Sequence, residues 1–461
     1  MVSSFQHSII PFETMDLRGK KVLVVGLART GLATATFLKE KGAIVSTSEV
    51  RSEGEMKDVA QSLSEMSISM EWGGHTVEHF LRQDLIVLSP GVDPNLEPIQ
   101  RALDEHIHVI SEVELAYAFI EAPIVAITGT NGKTTTTLLI GEMLKEEGRK
   151  VGVGGNVGDP LILFADGKDP WEILVVEVSS FQLEGIDAFR PHCSVLLNIT
   201  QDHLDRYSRY EDYIEAKIRI FKNQRPEDMA VLNWDDPIVM KYGEGVKARK
   251  FFFSLKGHLK EGCFFDGTEI FLRLRGTEER YSVSQSPLKG IHNIENQMAA
   301  ILTASLLGCS KEAIEKALRQ FKGLEHRLEF VREIDGVSYY NDSKGTNVGA
   351  VVKSLQSFEE PIILIAGGKD KQTDLHPLGE LIQKHVRRMI LIGEARERMA
   401  RELGSLTDTV FARTMEEAVE LAHRTAKRGE VVLLSPACSS FDMFKDYKER
   451  GRVFREAVLR L

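Results

Sequence analysis

Cysteine is scarce: four residues in 461 (Cys193, Cys263, Cys309, Cys438), far apart, with no CxxC pair and no zinc-type spacing. That excludes a disulfide-stapled secreted scaffold and a structural zinc site, and it reads as free thiols in a reducing cytosol. No stretch approaches the roughly 18 consecutive apolar residues that a membrane helix needs. The first eleven residues, Met1 to Pro11, have neither a basic segment nor a long apolar run, so no secretory leader is expected. Proline (14) and glycine (37) are too few and too unpatterned for collagen-like or low-complexity structure. Positive charge is in deficit, 58 Lys+Arg against 68 Asp+Glu for a net −10. The deficit argues against a general nucleic-acid or membrane-surface binder but permits local basic pockets for anionic ligands. What remains is an ordinary globular composition, 43% hydrophobic and 27% charged, in a chain long enough for about three domains.

Short apolar runs alternate with helix-length amphipathic stretches, the pattern of parallel α/β folds. Lys21–Val25, Ala43–Thr47 and Leu85–Leu88 read as strands, with a helix over Gly31–Lys41. A second unit begins at Pro123, with strands Ile124–Ile127, Ile173–Val178 and Ser194–Ile199 and a helix from Lys133. From about Arg225 to Leu288 the text changes: Phe251–Phe253, Cys263–Phe265, Ile270–Leu274 and Tyr281–Val283 read as short antiparallel strands appended to the second unit. Helices resume at Ile294–Leu307 and after Ser310, an expected N-cap. A third unit follows, with strands Val337–Tyr340, Pro361–Ala366, Met389–Ile392 and Val431–Leu434. The expected domains are 1–112, 113–323 and 324–461.

The strongest motif is Thr128-Gly129-Thr130-Asn131-Gly132-Lys133-Thr134-Thr135, between a strand and a helix. A Gly-rich turn there aims backbone N–H groups at a phosphate, a Lys adds positive charge, and a Thr can ligate Mg²⁺. Ile127 stands where a strict P-loop has its first Gly, yet the strand–loop–helix context points to nucleotide binding over a plain turn. Two further strands end in polar groups, Glu177-Val178-Ser179-Ser180 and Thr200-Gln201-Asp202-His203-Leu204-Asp205-Arg206. Ligands of open parallel sheets sit at that edge, which places Glu177 to hold Mg²⁺. His203 admits two readings, metal ligand or surface residue. Lys217 interrupts the apolar stripe Tyr210, Tyr213/Ile214, Ile220/Phe221 of a helix. Snorkelling of its stem to solvent is one account; a desolvated, neutral amine open to carbamylation is the other.

The first unit opens with Gly26-Leu27-Ala28-Arg29-Thr30-Gly31, and Glu49 follows its second strand. Ala28 replaces the Gly that lets a pyrophosphate approach in dinucleotide sites, so a phosphate-bearing nucleotide held differently is as compatible as NAD. In the third unit, Asn341–Asn347, Gly367-Gly368-Lys369-Asp370-Lys371 and Ser435–Phe441 each follow a strand. They admit a plain-turn reading, or together a pocket for an anionic substrate.

With Glu177–Glu184, Asn198–Tyr207, His292-Asn293, His326-Arg327 and Phe444 added to these loops, the chain resembles the Mur ligase family along essentially its whole length. Ser-Ser-Phe-Gln-Leu-Glu and Ser-Pro-Ala-Cys-Ser-Ser are similar to its D-glutamate-adding branch. The resemblance implies an N-terminal Rossmann-like domain, a central P-loop-type ATP-binding parallel sheet with a small appended antiparallel sheet, and a C-terminal Rossmann-like domain. It implies ATP-dependent joining of D-glutamate to UDP-N-acetylmuramoyl-L-alanine through an acyl phosphate, in cytoplasmic peptidoglycan synthesis for cell wall, shape and division. A sister ligase, including a folylpolyglutamate-type enzyme, is the nearest alternative; an NAD-dependent oxidoreductase and a nucleotide-gated binding protein are the others.

By that resemblance Gly129, Thr130, Asn131, Gly132, Lys133, Thr134, Thr135, Asn293, Asn296, Arg327 and Asp342 would bind ATP. Ala28, Arg29, Thr30, Glu49, Arg51, Ser89, Pro90, Gly91, Asn156 and Ser179 would bind the UDP-substrate. Lys344, Thr346, Lys371, Ser440 and Tyr447 would hold D-glutamate. Thr134, Glu177, His203 and a carbamate on Lys217 would serve two Mg²⁺ ions, with Lys133, Glu177, His203 and Lys217 catalytic. Lys369 departs from the family pattern, standing where an Asp is usual. The third domain would close over the site before reaction, to keep water from the acyl phosphate. No nucleic acid or membrane partner is expected, and the working form is expected to be a monomer.

Overall fold

A computed structural model describes residues 15–167, 170–200, 206–207, 209–288, 290–370 and 372–461. Three sheets follow one another along the chain. The first is wholly parallel, in the order β3-β2-β1-β4-β5, from β1 (Lys21–Val25), β2 (Ile44–Glu49), β3 (Ser69–Trp72), β4 (Leu85–Leu88) and β5 (His108–Ser111).

The second sheet has nine strands: β6 (Ile124–Thr128), β7 (Val151–Gly155), β8 (Ile173–Glu177), β9 (Cys193–Leu196), β10 (Met229–Asn233), β11 (Arg249–Ser254), β12 (Gly262–Phe265), β13 (Glu269–Leu274) and β14 (Thr277–Ser282). Their order is β14-β13-β12-β11-β10-β9-β6-β8-β7. Its middle strands read as unbroken apolar runs because helices cover both faces, and every residue of β6 and β8 is buried. The 225–288 stretch differs from expectation in one respect. The missed strand β10 and then β11 and β12 join in parallel, so the Phe-rich strands extend the main sheet and antiparallel pairing starts only between β12 and β13. Runs of Phe do not by themselves state strand direction, which the intervening helix Pro237–Gly243 sets by returning the chain to the same edge.

The third sheet is ordered β15-β16-β20-β17-β18-β19, from β15 (Glu329–Ile334), β16 (Val337–Asn341), β17 (Ile362–Gly367), β18 (Val386–Ile392), β19 (Asp408–Phe411) and β20 (Val431–Leu434). Its β15–β16 hairpin is antiparallel and the rest is parallel.

The chain forms two compact units. One holds the residues up to Tyr281 with Glu295–Ala317; the other holds Ser282–Ile294 with Leu318–Leu461. The first two sheets share a unit because one apolar cluster runs through both, including Val24, Leu115, Ile162, Ala126 and Val176. Two buried carboxylates reinforce that junction. Glu114 accepts from the backbone N–H groups of Asp187, Ala188 and Phe189, at 2.9, 2.7 and 3.0 Å. Glu112 accepts from Ile162 N–H at 2.7 Å, while its other oxygen is buried without a partner.

Burial pushes the Glu112 carboxyl up to about 7, against the backbone hydrogen bonds that lower it. Its folded value lies above its unfolded one, so its stability contribution is full below about pH 4.5 and is lost as pH rises through about 7. Glu112→Gln cannot ionise. Thermal melts should show the variant gaining on the parent by up to about 3 kcal/mol between pH 5 and pH 8; a constant difference across that range would contradict the buried, protonated state.

Candidate functional site

The phosphate-loop candidate sits at the carboxyl edge of β6. Register sets its neighbours: Ile127 lies opposite Glu177 on β8, and Glu177 lies opposite Gly155 on β7. Backbone and side chain of Asn198 brace the loop. Thr130 N–H donates to Asn198 O, Asn131 N–H donates to Asn198 Oδ1 at 2.8 Å, and Asn198 Nδ2 returns a bond to Asn131 O. Gly132 has φ +85°, and a side chain there would collide with Asn296 Oδ1. The helix Lys133–Glu146 then starts at the loop's end, with Thr134 buried and Thr135 half-buried in its first turn.

Two cations converge on this loop. Lys133 Nζ donates to Gly129 O and Thr130 O, both at 3.0 Å. Lys217 Nζ donates to the same Gly129 O at 2.8 Å and lies 4.7 Å from the centre of the Tyr213 ring. Lys217 is only 2% exposed, which rules out the snorkelling account. Tyr213 also meets Thr130 Oγ1 at 3.0 Å, tying the helix Tyr210–Ile218 to the loop. Glu177, likewise buried, accepts from Asn156 Nδ2 through Oε1 at 2.8 Å, and its Oε2 is buried without a hydrogen-bond partner among the described residues. A carboxylate oxygen left open beside a phosphate loop and Thr134 suits a hard, oxygen-seeking cation such as Mg²⁺. His203 lies outside the described residues. Ser179, expected at the UDP-substrate, caps the helix Ser180–Glu184 in a reciprocal pair with Gln182.

A second candidate is a cavity of about 350 Å³ at the carboxyl edge of the first sheet, walled by Leu27, Ala28, Glu49, Arg51, His75, Ser89 and Gly91 among others. Glu49 is the keystone of its wall: it accepts from Leu27 N–H at 2.7 Å and grips the backbone, Nε and Nη2 of Arg51. Burial raises its carboxyl, but the Arg51 guanidinium and the two amides outweigh burial and hold the pKa at about 2. Ser89 Oγ donates to Gly26 O at 2.7 Å. Arg29 is engaged elsewhere, donating to Gly158 O at 2.8 Å and pairing with Asp159 on the loop after β7. Thr30 begins the helix Arg29–Glu40. Sequence reasoning missed His75 and Arg206. Arg206 donates to Val92 O at 2.9 Å and stacks on Phe181, so it joins the cavity's rim to the helix that follows β8. His75 carries no local motif, and Arg206 closes the Thr200–Arg206 motif without a role being assigned to it; spatial proximity exposes both.

In the second unit the three polar loops do meet. Register aligns Asn341 and Ile365 with Leu434, so the loops after β16, β17 and β20 leave one sheet edge together. Beneath them lies Arg450, fully buried, which sequence reasoning also missed. It donates to Ser343 Oγ, Ser343 O and Cys438 O at 3.0, 2.8 and 3.1 Å. No carboxylate among the described residues forms an ion pair with it, and burial lowers its pKa to about 10. Gly368 has φ +137°, and any side chain there would strike Ser439 O and crowd the Arg450 guanidinium.

Lys344 reaches Tyr447, 3.3 Å from its hydroxyl and 4.6 Å from its ring centre. Ser440 is buried at 2% exposure, and Thr346 is half-buried. Asp342 faces inward, accepting from Ser354 and Ser435 at 2.6 and 2.7 Å, and burial raises its carboxyl to about 6. Arg327 is exposed. The exposed Lys369 donates its backbone N–H to Ser439 O, while Asp370 is gripped by Arg398. Lys371 lies outside the described residues. Asn296 belongs to the first unit and receives Thr136 Oγ1 at 3.3 Å; Asn293 belongs to the second.

Known proteins agree with this layout. The family description "Mur ligase MurD-like, N-terminal domain" matches residues 20–111. "Mur ligase middle domain" matches 127–304, and "Mur ligase, glutamate ligase domain" matches 326–438. The UDP-N-acetylmuramoylalanine–D-glutamate ligase of Geotalea daltonii is 55% identical over 445 residues, covering 96% of this chain and 98% of its own. That of Trichlorobacter lovleyi is 50% identical over 447 residues, covering 97% and 100%. Among solved structures, the Thermotoga maritima UDP-N-acetylmuramate-alanine ligase shares the fold with a TM-score of 0.58 at 20% identity, over 96% of this chain and 99% of that one. A pseudomurein peptide ligase of Methanothermus fervidus does so with a TM-score of 0.56 at 20% identity, over 96% and 100%. With half or more of its residues identical to such ligases over nearly its full length, and three family descriptions laid in order along it, this chain belongs to the Mur ligase family.

Proposed function

We propose that this chain joins D-glutamate to UDP-N-acetylmuramoyl-L-alanine with cleavage of ATP to ADP and phosphate, the acid–amino-acid ligation of peptidoglycan precursor synthesis. The observation that carries the chemistry is the meeting of Lys133, Lys217 and Glu177 at the carboxyl ends of β6 and β8. A carboxylate is a poor electrophile, and phosphorylation converts it to an acyl phosphate that an amine can attack, with phosphate as the leaving group. Backbone N–H groups of Gly132 and Lys133 and the Lys133 ammonium would receive the phosphates of ATP, since those of Thr130 and Asn131 are taken by Asn198. Mg²⁺, held by Thr134, Glu177, His203 and a modified Lys217 at two sites, would neutralise charge on the transferring phosphoryl group.

The cavity beside Glu49 and Arg51 takes the uridine diphosphate end, and Asn156, fixed by Glu177, faces the muramoyl portion. Arg29, Thr30, Ser89, Pro90, Gly91 and Ser179 complete that set. The loops clamped by Arg450 hold D-glutamate through Lys344, Thr346, Lys371, Ser440 and the backbone of Tyr447. Asn293, Asn296, Arg327 and Asp342 are assigned to the adenosine end of ATP. Asp342 acts through its loop, since its carboxylate faces Ser354 and Ser435. The functional segments are taken as 1–112, 113–323 and 324–461. Four free thiols suit the reducing cytosol, and the working form is taken as a monomer.

Phosphate release with UDP-N-acetylmuramoyl-L-alanine should depend on D-glutamate and not on L-glutamate, glycine or meso-diaminopimelate. Release with another acceptor, or with none, would assign the chain to a different ligase or to a nucleotide-gated binder.

Lys133→Ala should lower kcat by about 10³-fold, because its charge acts chiefly while phosphate transfers. Near-normal turnover in a folded variant would remove the loop from the mechanism. Ser440→Ala and Lys371→Ala should each raise KM for D-glutamate about tenfold or more and leave KM for ATP nearly unchanged; unchanged D-glutamate dependence in both would move the amino-acid site elsewhere.

Lys217 yields a further prediction. A buried lysine amine favours its neutral form, which adds CO₂ to give a carbamate anion and one proton. The product is an oxygen donor suited to Mg²⁺. Intact-mass analysis in bicarbonate should find one carbamate on Lys217, and Lys217→Ala should be inactive yet partly rescued by short carboxylic acids. A fully active Lys217→Ala enzyme would sink the assignment.

A further inference from the structure

Of the acidic and hydroxyl side chains that wall the cavity of the first sheet, Glu49 and Ser89 are spent, and Asp93 holds Asn95 through Oδ1. Both oxygens of Glu49 are taken twice, by Leu27 N–H and by the backbone, Nε and Nη2 of Arg51. The Ser89 hydroxyl proton goes to Gly26 O. His75, half-buried, stands in the same wall. Its Nδ1 lies 2.7 Å from Ser48 Oγ, and Ser48 Oγ in turn lies 2.7 Å from Glu71 Oε2.

Ser48 has one proton to give. Glu71 is an ionised acceptor: burial raises its carboxyl, but hydrogen bonds from Thr76, Ser48 and His79 together lower it. A 2.7 Å oxygen–oxygen contact to a carboxylate needs that proton between them, and Gly74 O, at 3.2 Å, is also a pure acceptor. Nδ1 of His75 is therefore left to donate its own N–H to Ser48. A neutral imidazole with a proton on Nδ1 carries its lone pair on Nε2. Burial favours that neutral ring by lowering its pKa, and no described residue bonds Nε2. The Phe80 ring, edge-on at 6.0 Å between centres, fixes the imidazole plane.

We propose that His75 Nε2 is the acceptor with which this cavity reads an N–H on the edge of the bound base, N3–H in the case of uracil. Ser48 and Glu71 are positioning residues that set the tautomer. The inference rests on the reading of this cavity as the uridine diphosphate site and adds to it the group that recognises the base.

The test is binding of UDP and of its N3-methylated analogue to the full-length enzyme by calorimetry. His75→Phe keeps a ring without the acceptor; His75→Gln keeps an acceptor. The parent should bind UDP at least about tenfold more tightly than the N3-methyl analogue, the scale of one lost hydrogen bond with its partner left unpaired. His75→Phe should weaken UDP by about that factor and narrow the gap between the two ligands, while His75→Gln restores part of it. KM values for ATP and D-glutamate should not move, which separates base reading from general damage. A His75→Phe enzyme that keeps the parent's preference for UDP over the methylated analogue overturns the role of His75 and leaves the site reading intact. A parent enzyme that binds no UDP overturns the site reading, and this inference with it.

Discussion

Two lysines from different helices share one carbonyl oxygen, that of Gly129. This convergence is the constraint on which the central site depends. Lys133 comes from the helix that begins at the loop, and Lys217 from a helix whose Tyr213 is itself bonded to Thr130. An ammonium buried in a protein needs acceptors, and a carbonyl at the end of a buried parallel strand is one of the few available. The requirement draws both amines to the same strand edge, that of the loop after β6. Two lysine amines thus meet at the loop after β6, and Glu177 stands opposite Ile127 on the neighbouring strand.

The same rule, that a buried polar group must be answered, organises the rest. Glu114 is answered by three backbone amides and Glu112 by one, so the junction between the first two sheets is held by hydrogen-bonded carboxylates within an apolar cluster. Glu49 is answered by Arg51 and Leu27, which makes it a strut of the cavity wall. Arg450 is answered by carbonyl and hydroxyl oxygens only. No carboxylate among the described residues pairs with that guanidinium, so its charge lies beneath the three loops.

Much of this was legible in the sequence. Apolar strands followed by Gly-, Ser- and Lys-bearing loops gave the three α/β units, because a strand buried on both faces must be apolar throughout and its loops must carry the polar chemistry. Strands Lys21–Val25, Leu85–Leu88 and Val431–Leu434 fall where that pattern puts them. Short or mixed strands such as Ser69–Trp72 and Asp408–Phe411 lie at sheet edges, where half-exposure blurs the apolar signal. The direction of the Phe-rich strands was not legible either, since it depends on the return path of the chain.

The sequence by itself determined the phosphate loop, the family and the three groups of polar loops, because each is a local pattern of residue types in strand-to-helix context. Tertiary structure alone decided that Lys217 is buried against Gly129 and that Glu49 is saturated. It alone placed His75 in the cavity wall and Arg450 under three loops separated by tens of residues. Those facts depend on which side chain meets which acceptor across elements distant in the chain. Burial and hydrogen-bond satisfaction are properties of the assembled neighbourhood, and no single stretch of sequence contains them.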